Sequence, residues 1–505
     1  MAGCGRGHET IWKAGGMETK PHVVVVGGGL SGLTAAHRLI ETGSRVTVLE
    51  SAPRPGGKLH SSPVAGVPVD SGAESILTRR PEALELVADL GLGDRLTHPA
   101  PAPARLYSRG ALRDFPSGHL MGVPGGLTAL ARSGVLSWTG TLRAARDLVW
   151  PATTIHADVP VATYIGVRMG SEVVDRLVEP MLGGVYAGRA DRLSLEAALP
   201  QIVPAARTRR SLMAAVREIK EEQAAKARDA APGPVFATLR GGLATLIDAL
   251  VDRVTAAGGA VETSTPVREL RRDGAGWRIV AGPPGAERAV AADAVVLACP
   301  APEAARLLRV EVPEAARELE RIGYASMAVI TLAYRARDFA APPKGSGFLV
   351  PALEGRTIKA VTFSSVKWPW LAEALRAAHP DEETVLVRCS IGRVGEEETL
   401  QHSDEELAAL AVADLADICG IGRPPVEQRV TRWQAGLPQY TVGHEARIAR
   451  ARTAVAAHPG LALCGAAYDG VGIPACVASA TEAARTLTTV LTERVAHGAG
   501  PALSD

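Results

Sequence analysis

The stretch HVVVVGGGLSGLTAAHRLIETGSRVTVLE, His22 to Glu50, constrains the fold more than any other part of this chain. Four consecutive valines read as a strand buried on both faces, and GGGLSG as a tight turn. An apolar-periodic helix and a second strand ending in an acid complete one βαβ unit. Gly27, Gly29 and Gly32 satisfy GxGxxG, with Gly28, Leu30 and Ser31 filling the turn. Such glycines let the backbone approach a pyrophosphate, the helix N-terminus supplies oriented N–H groups, and Glu50 is placed to accept from a ribose hydroxyl. An acid at that position disfavours a 2′-phosphate and hence NADP; FAD and NAD both remain.

Composition narrows the function class. A chain of 505 residues has room for about three domains. Formal net charge is +1, so no broad field draws nucleic acid or an anionic membrane. The six cysteines are scattered without a CxxC pair or metal-ligand spacing, as expected for free thiols in a reducing cytoplasm, and no metal site is expected. Residues 1–20 lack the apolar core of a signal peptide and read as a disordered extension, with Met17 an alternative start. The longest uncharged run, from Phe115, is broken by Gly and Pro and is too short to span a bilayer.

Further strands are expected in AVVLACPA and LALCGAAY, and a charged helix from Ser211 to Ala231. Residues 115–200 read as helical and 325–433 as strand-rich. A second glycine turn, YDGVGIP, precedes a helix starting near Pro474.

After the second strand, ESAPRPGGKLHSS adds Ser51, Arg54, the pair Gly56–Gly57 and Lys58, and VDSGAESILTRR adds a turn from Gly72 to Ser75. This E-x3-R-x-GG arrangement resembles the FAD-containing amine oxidase and phytoene desaturase superfamily. LVEPMLGGVYAG, ATLRGGLATLIDAL, LPQYTVGH and YDGVGIPACVASA look like the narrower group of protoporphyrinogen and coproporphyrinogen oxidases of haem synthesis. The likeness extends from about residue 21 to 490 and is strongest to the soluble coproporphyrinogen III oxidases of Gram-positive bacteria.

The resemblance implies an α/β chain, α+β overall, with a Rossmann-like FAD-binding domain split over 21–95, 235–310 and 445–492. It implies a strand-rich substrate-binding domain (96–114 and 311–444), an inserted helical domain (115–234) and a tail (493–505). FAD would lie on Gly27, Gly28, Gly29, Leu30, Ser31, Gly32, Glu50, Ser51, Arg54, Gly57, Lys58, Gly72, Ala73, Glu74, Ser75, Val267, Ala466, Val471, Gly472 and Ile473. The implied reaction is oxidation of a porphyrinogen by dioxygen, giving hydrogen peroxide, in the cytoplasm. Contact with the next haem-pathway enzyme would be transient, with no nucleic acid and no stable membrane insertion.

Substrate propionates call for Arg or Lys. Arg80 is the first choice, then Arg79 and Lys367, although two arginines before a proline also suit a solvated helix start. Arg209, Arg210 and Lys359 are weaker candidates. No catalytic acid–base pair is evident. Glu74 stands where eukaryotic protoporphyrinogen oxidases have a basic residue, which favours coproporphyrinogen III over protoporphyrinogen IX. A flavin amine oxidase remains an alternative, although 4% aromatic content is poor material for an aromatic cage. So does a non-catalytic binding module of the same fold.

Overall fold

The computed structural model describes residues 20–153, 155–229 and 233–498. The expected extension before Lys20, the Met17 start and residues 499–505 lie outside the described residues.

A five-stranded parallel sheet is assembled from three distant parts of the chain. Its order is Ala260–Glu262, Arg45–Leu49, His22–Val26, Ala294–Leu297 and Leu461–Leu463. The valine run is continuous because both faces are covered. Val23 and Val25 pack with Leu33, Leu39, Leu250 and Leu487 from three helices, Leu30–Glu41, Ala244–Ala256 and Ile473–Gly498. Val24 and Val26 point the other way, into a core with Trp277, Leu270, Leu308 and Ile448. Burying one valine side chain is worth about 1.5–3 kcal/mol, so this strand anchors two cores at once.

A second sheet has seven strands, in the order Glu427–Pro438, Tyr324–Arg335, Thr384–Ile391, Ile358–Phe363, Gly347–Leu349, Ala104–Ser108 and Ala111–Asp114. Its pairings are antiparallel except that of Gly347–Leu349 with Ala104–Ser108. The strand-rich span also holds helices, Pro369–Ala378 and Asp404–Cys419 among them. The latter opens on a capping box in which Ser403 and Glu406 satisfy each other's backbone N–H.

Between residues 127 and 229 the described chain is mostly helical and packs around Leu130, Ile165, Leu177 and Leu182. The expected charged helix spans Leu212–Asp229. Its start is fixed by the buried Asp147, whose carboxylate accepts from Met213 N (2.8 Å) and Ser211 Oγ (2.8 Å) and pairs with the buried Arg168 at 2.6 Å. The closing helix runs from Ile473 through Gly498, so residues 493–498 of the expected tail are helical.

Candidate cofactor and substrate site

The first glycine turn sits at the C-terminal end of the His22–Val26 strand, where a parallel sheet opens its crevice. Gly27 has φ +106°, and its N–H donates to Leu49 O at 2.8 Å. A Cβ on Gly32 would fall 1.8 Å from the Gly27 carbonyl oxygen, so only glycine lets the helix start this close to the strand. Glu50 closes the end of the turn. Its carboxylate accepts from Gly28 N and Ala52 N, each at 2.7 Å, and from the Ser51 hydroxyl at 3.3 Å.

The other turns pack onto this one in sequence. Gly56 N donates to Gly28 O (2.8 Å), and Gly29 faces Gly57 so closely that a Cβ on Gly57 would lie 3.4 Å from the Gly29 Cα. Arg54 fastens this turn through the Pro55 and Gly57 carbonyls, each at 3.1 Å. Ala73 N donates to Lys58 O at 3.1 Å, and a Cβ on Gly72 would meet that oxygen at 1.9 Å. Thr265 N donates to Glu50 O at 2.8 Å, which brings the buried Val267 to the Glu50 end; the Val267 carbonyl accepts from Arg306 at 2.7 Å.

Gly72, Ala73, Glu74 and Ser75 lead from the glycines to a charge cluster. The Glu74 carboxylate lies between Lys367 Nζ at 2.5 Å and the Arg388 guanidinium. Burial works to raise the Glu74 carboxyl, but the charges and hydrogen bonds of Lys367 and Arg388 outweigh it and hold it at about 2. Lys367 also donates to Ser75 Oγ (3.0 Å) and lies 4.8 Å from the Trp368 ring centroid. Arg388 donates to Gly72 O at 2.7 Å, while its buried Nε lacks a partner. Burial raises the pKa of the Asp70 carboxyl to about 6, and this group also feels Arg388 and Glu74, so at neutral pH two cations stand against two carboxylates. Beside this cluster Trp433 donates to Ser71 O at 2.9 Å and meets His60 edge-on, and His60 is hydrogen-bonded to Ser71 Oγ.

The second glycine turn closes the site from the far end of the chain. Ser31 Oγ donates to the Cys476 carbonyl at 3.3 Å, tying the first helix to the closing one. Ala466 and Gly470 are bonded to Tyr440, Val471 packs on the helical core, and Ile473 is buried in the dinucleotide core. A Cβ on Gly472 would have only Pro474 Cδ nearby, at 3.9 Å.

These residues fit a dinucleotide. Side chains at Gly32 and Gly72 would collide with neighbouring backbone, so the turns stay bare where backbone N–H groups can meet a diphosphate. Burial lowers the pKa of the Lys58 ammonium, and the titratable group acting on it is the Cys476 thiol, not a carboxylate. A half-buried cation next to two glycine turns, with no carboxylate acting on it, suits a diphosphate.

Of the three substrate candidates, Lys367 belongs to this cluster with its charge committed to Glu74. Arg79 and Arg80 are exposed before the helix Glu82–Asp89; Arg80 pairs with Glu82 at 2.6 Å and also acts on Asp469. Arg209 is exposed and pairs with Glu218, and Lys359 is buried against the Gly392 carbonyl. Sequence reasoning missed Arg388, Trp433 and Tyr440. An arginine inside the otherwise apolar strand TVLVRCSI is the signal that could have marked the first of these.

The model of the flavin containing amine oxidoreductase family matches residues 30–488. The chain belongs to that family. A Mycobacterium leprae protein named coproporphyrinogen III oxidase is 38% identical, over 92% of this chain and 97% of its own length. A bovine protein named protoporphyrinogen oxidase is 31% identical, over 92% of this chain and 97% of its own. A crystal structure from Exiguobacterium sp. 255-15, provisionally named a protoporphyrinogen oxidase, superposes with a TM-score of 0.80 at 30% identity, covering 94% of this chain and all of that one.

Proposed function

We propose that the protein is an FAD-dependent oxidase that converts coproporphyrinogen III to coproporphyrin III, with dioxygen as acceptor and hydrogen peroxide as by-product. The observation that carries the cofactor is the run of glycine turns around the half-buried Lys58. The 38% identity to a protein named for this activity supports the substrate.

Bound FAD supplies the two-electron chemistry: each round removes a hydride and a proton from the macrocycle, and three rounds reach the aromatic porphyrin. The chain's own part is binding and orientation. Gly27–Gly32, Gly57 and Lys58 would hold the pyrophosphate, Glu50 the ribose, and the Val267 backbone the adenine. The 72–75 turn and residues 466–473 would flank the flavin ring. The N-terminus of the closing helix would favour negative charge there.

Arg80 and Arg79, at the exposed end of the 72–75 turn, would receive the propionates of an anionic substrate. In this reading the fold divides into the split FAD-binding domain, the sheet-based substrate domain and the helical domain expected from the sequence. The enzyme would work in the cytoplasm and pass its product on through transient contact; among the described residues no helix is long and apolar enough to cross a membrane. Protoporphyrinogen IX is the second reading, favoured by the bovine relative.

The test is reconstitution. Purified protein given FAD should show the flavin absorbance band and turn coproporphyrinogen III into fluorescent porphyrin in air, with no conversion by the flavin-free protein beyond the spontaneous rate. A protein that takes up no FAD, or conversion independent of FAD, rules the proposal out.

A further inference from the structure

One hydroxyl grips both ends of the second glycine turn. Tyr440 Oη donates to the Ala466 carbonyl at 2.7 Å and accepts from Gly470 N at 2.8 Å, so a single atom closes both ends of the loop. Gly465 and Gly470 have φ of +129° and +133°, in backbone regions open to glycine but rarely to other residues. Glycines there supply little conformational preference of their own, so the shape of the loop depends on what grips it. Weaker or side-chain ties reach the same loop: Arg452 holds the Asp469 side chain, Ser479 Oγ accepts from Gly465 N at a long 3.4 Å, the Cys476 thiol donates to Gly470 O at 3.9 Å, and His444 meets the Ala467 backbone.

Tyr440 is fixed in turn. Its ring is buried in the helical core, tilted against Tyr186 at 5.6 Å and stacked on His444 with centroids 3.9 Å apart. Burial and the neighbouring Arg447 charge pull the His444 pKa down to about 4, so the stacked imidazole stays neutral. Burial also pushes the Tyr440 phenol well above its ordinary range, keeping the proton donated to Ala466. Gln439 braces the same segment by donating to Tyr186 O at 2.7 Å.

We infer that Tyr440 is a positioning residue that sets the 466–470 turn against the flavin ring, and so tunes how strongly the turn's amides and the closing helix stabilise the reduced cofactor. This gives the segment LPQYTVGH a physical role: Gln439 and His444 hold the tyrosine, and its hydroxyl holds the turn. The inference rests on the proposal that the protein holds FAD.

The test is Tyr440→Phe, which keeps the stacked ring and deletes the hydroxyl. Three quantities are measured: the FAD dissociation constant of the apoprotein, the midpoint potential of the bound flavin, and the Tm of the apoprotein. Loss of the hydroxyl should weaken FAD binding about 3- to 10-fold, the effect of one net hydrogen bond. It should also move the midpoint potential to more negative values. Tyr334→Phe is the control, because the buried Tyr334 hydroxyl has no hydrogen-bond partner; it should change neither quantity. A Tyr440→Phe protein with wild-type potential and FAD affinity overturns the inference, and so does a lower apoprotein Tm with the potential unchanged. A wild-type protein that takes up no FAD overturns the flavin proposal and this inference together, and so is distinguishable from failure of Tyr440 alone.

Discussion

Glu74→Gln is the substitution whose consequence the structure defines best. Glu74 is the carboxylate that pairs with both Lys367 and Arg388, and glutamine keeps its size while removing its charge. The drop of the Glu74 pKa from 4.5 to about 2 in the fold corresponds to about 3 kcal/mol of interaction favouring the ionised form. Breaking a fully buried pair by removing one partner costs about 3–5 kcal/mol; Glu74 keeps 14% exposure, so the lower end of that range applies. A loss near 3 kcal/mol is therefore expected at neutral pH.

The sign of the pH dependence follows from linkage. The folded pKa lies below the unfolded one, so this stabilisation is complete above about pH 4.5 and is lost as pH falls toward about 2. Urea unfolding of wild type and variant, followed by tryptophan fluorescence at a series of pH values from neutral to about 3, reads the difference directly. The gap should be widest near neutrality and should narrow below about pH 4.5. A gap under about 1 kcal/mol at neutral pH, or one that does not change with acidification, refutes the buried-pair account.

Two other outcomes are expected. Gly32→Ala would drive a methyl group to 1.8 Å from the Gly27 carbonyl oxygen, so the variant should purify with little flavin and a lower Tm; wild-type flavin content contradicts the cradle. Lys359 is buried, and desolvation with the nearby Arg393 charge lowers its pKa from 10.5 to about 7. The folded state thus binds fewer protons than the unfolded one between those values, and wild-type stability should rise with pH across that window. Lys359→Met should flatten that rise in chemical unfolding experiments; an unchanged slope contradicts it.

Much of the nucleotide fold is legible because its signals are local. Strand, turn, helix and acid follow one another within His22–Glu50, and the unbroken valine run anticipates a strand covered on both faces. The helix Asp404–Cys419 was equally local, through the Ser403 and Glu406 capping box, but strand propensity on either side obscured it. The charge cluster was not local. Glu74 meets Lys367 and Arg388 across 293 and 314 residues, and nothing in GAES indicates which cations arrive.

Tyr440 was out of reach for a different reason. Its partners are backbone atoms of a distant turn, and a hydrogen bond to backbone leaves no mark on residue identity. Arg80 and Arg79 illustrate the converse: their place after the GAES turn was legible, but the Glu82 pairing that occupies Arg80 is a matter of geometry.

The most direct test of the central claim is a side-by-side aerobic assay of the FAD-loaded protein on coproporphyrinogen III and protoporphyrinogen IX, counting porphyrin and peroxide together. The account predicts higher kcat/KM on coproporphyrinogen III and three hydrogen peroxide molecules for each porphyrin formed. Equal or reversed preference contradicts the substrate assignment, and porphyrin formed without peroxide contradicts the oxidase chemistry.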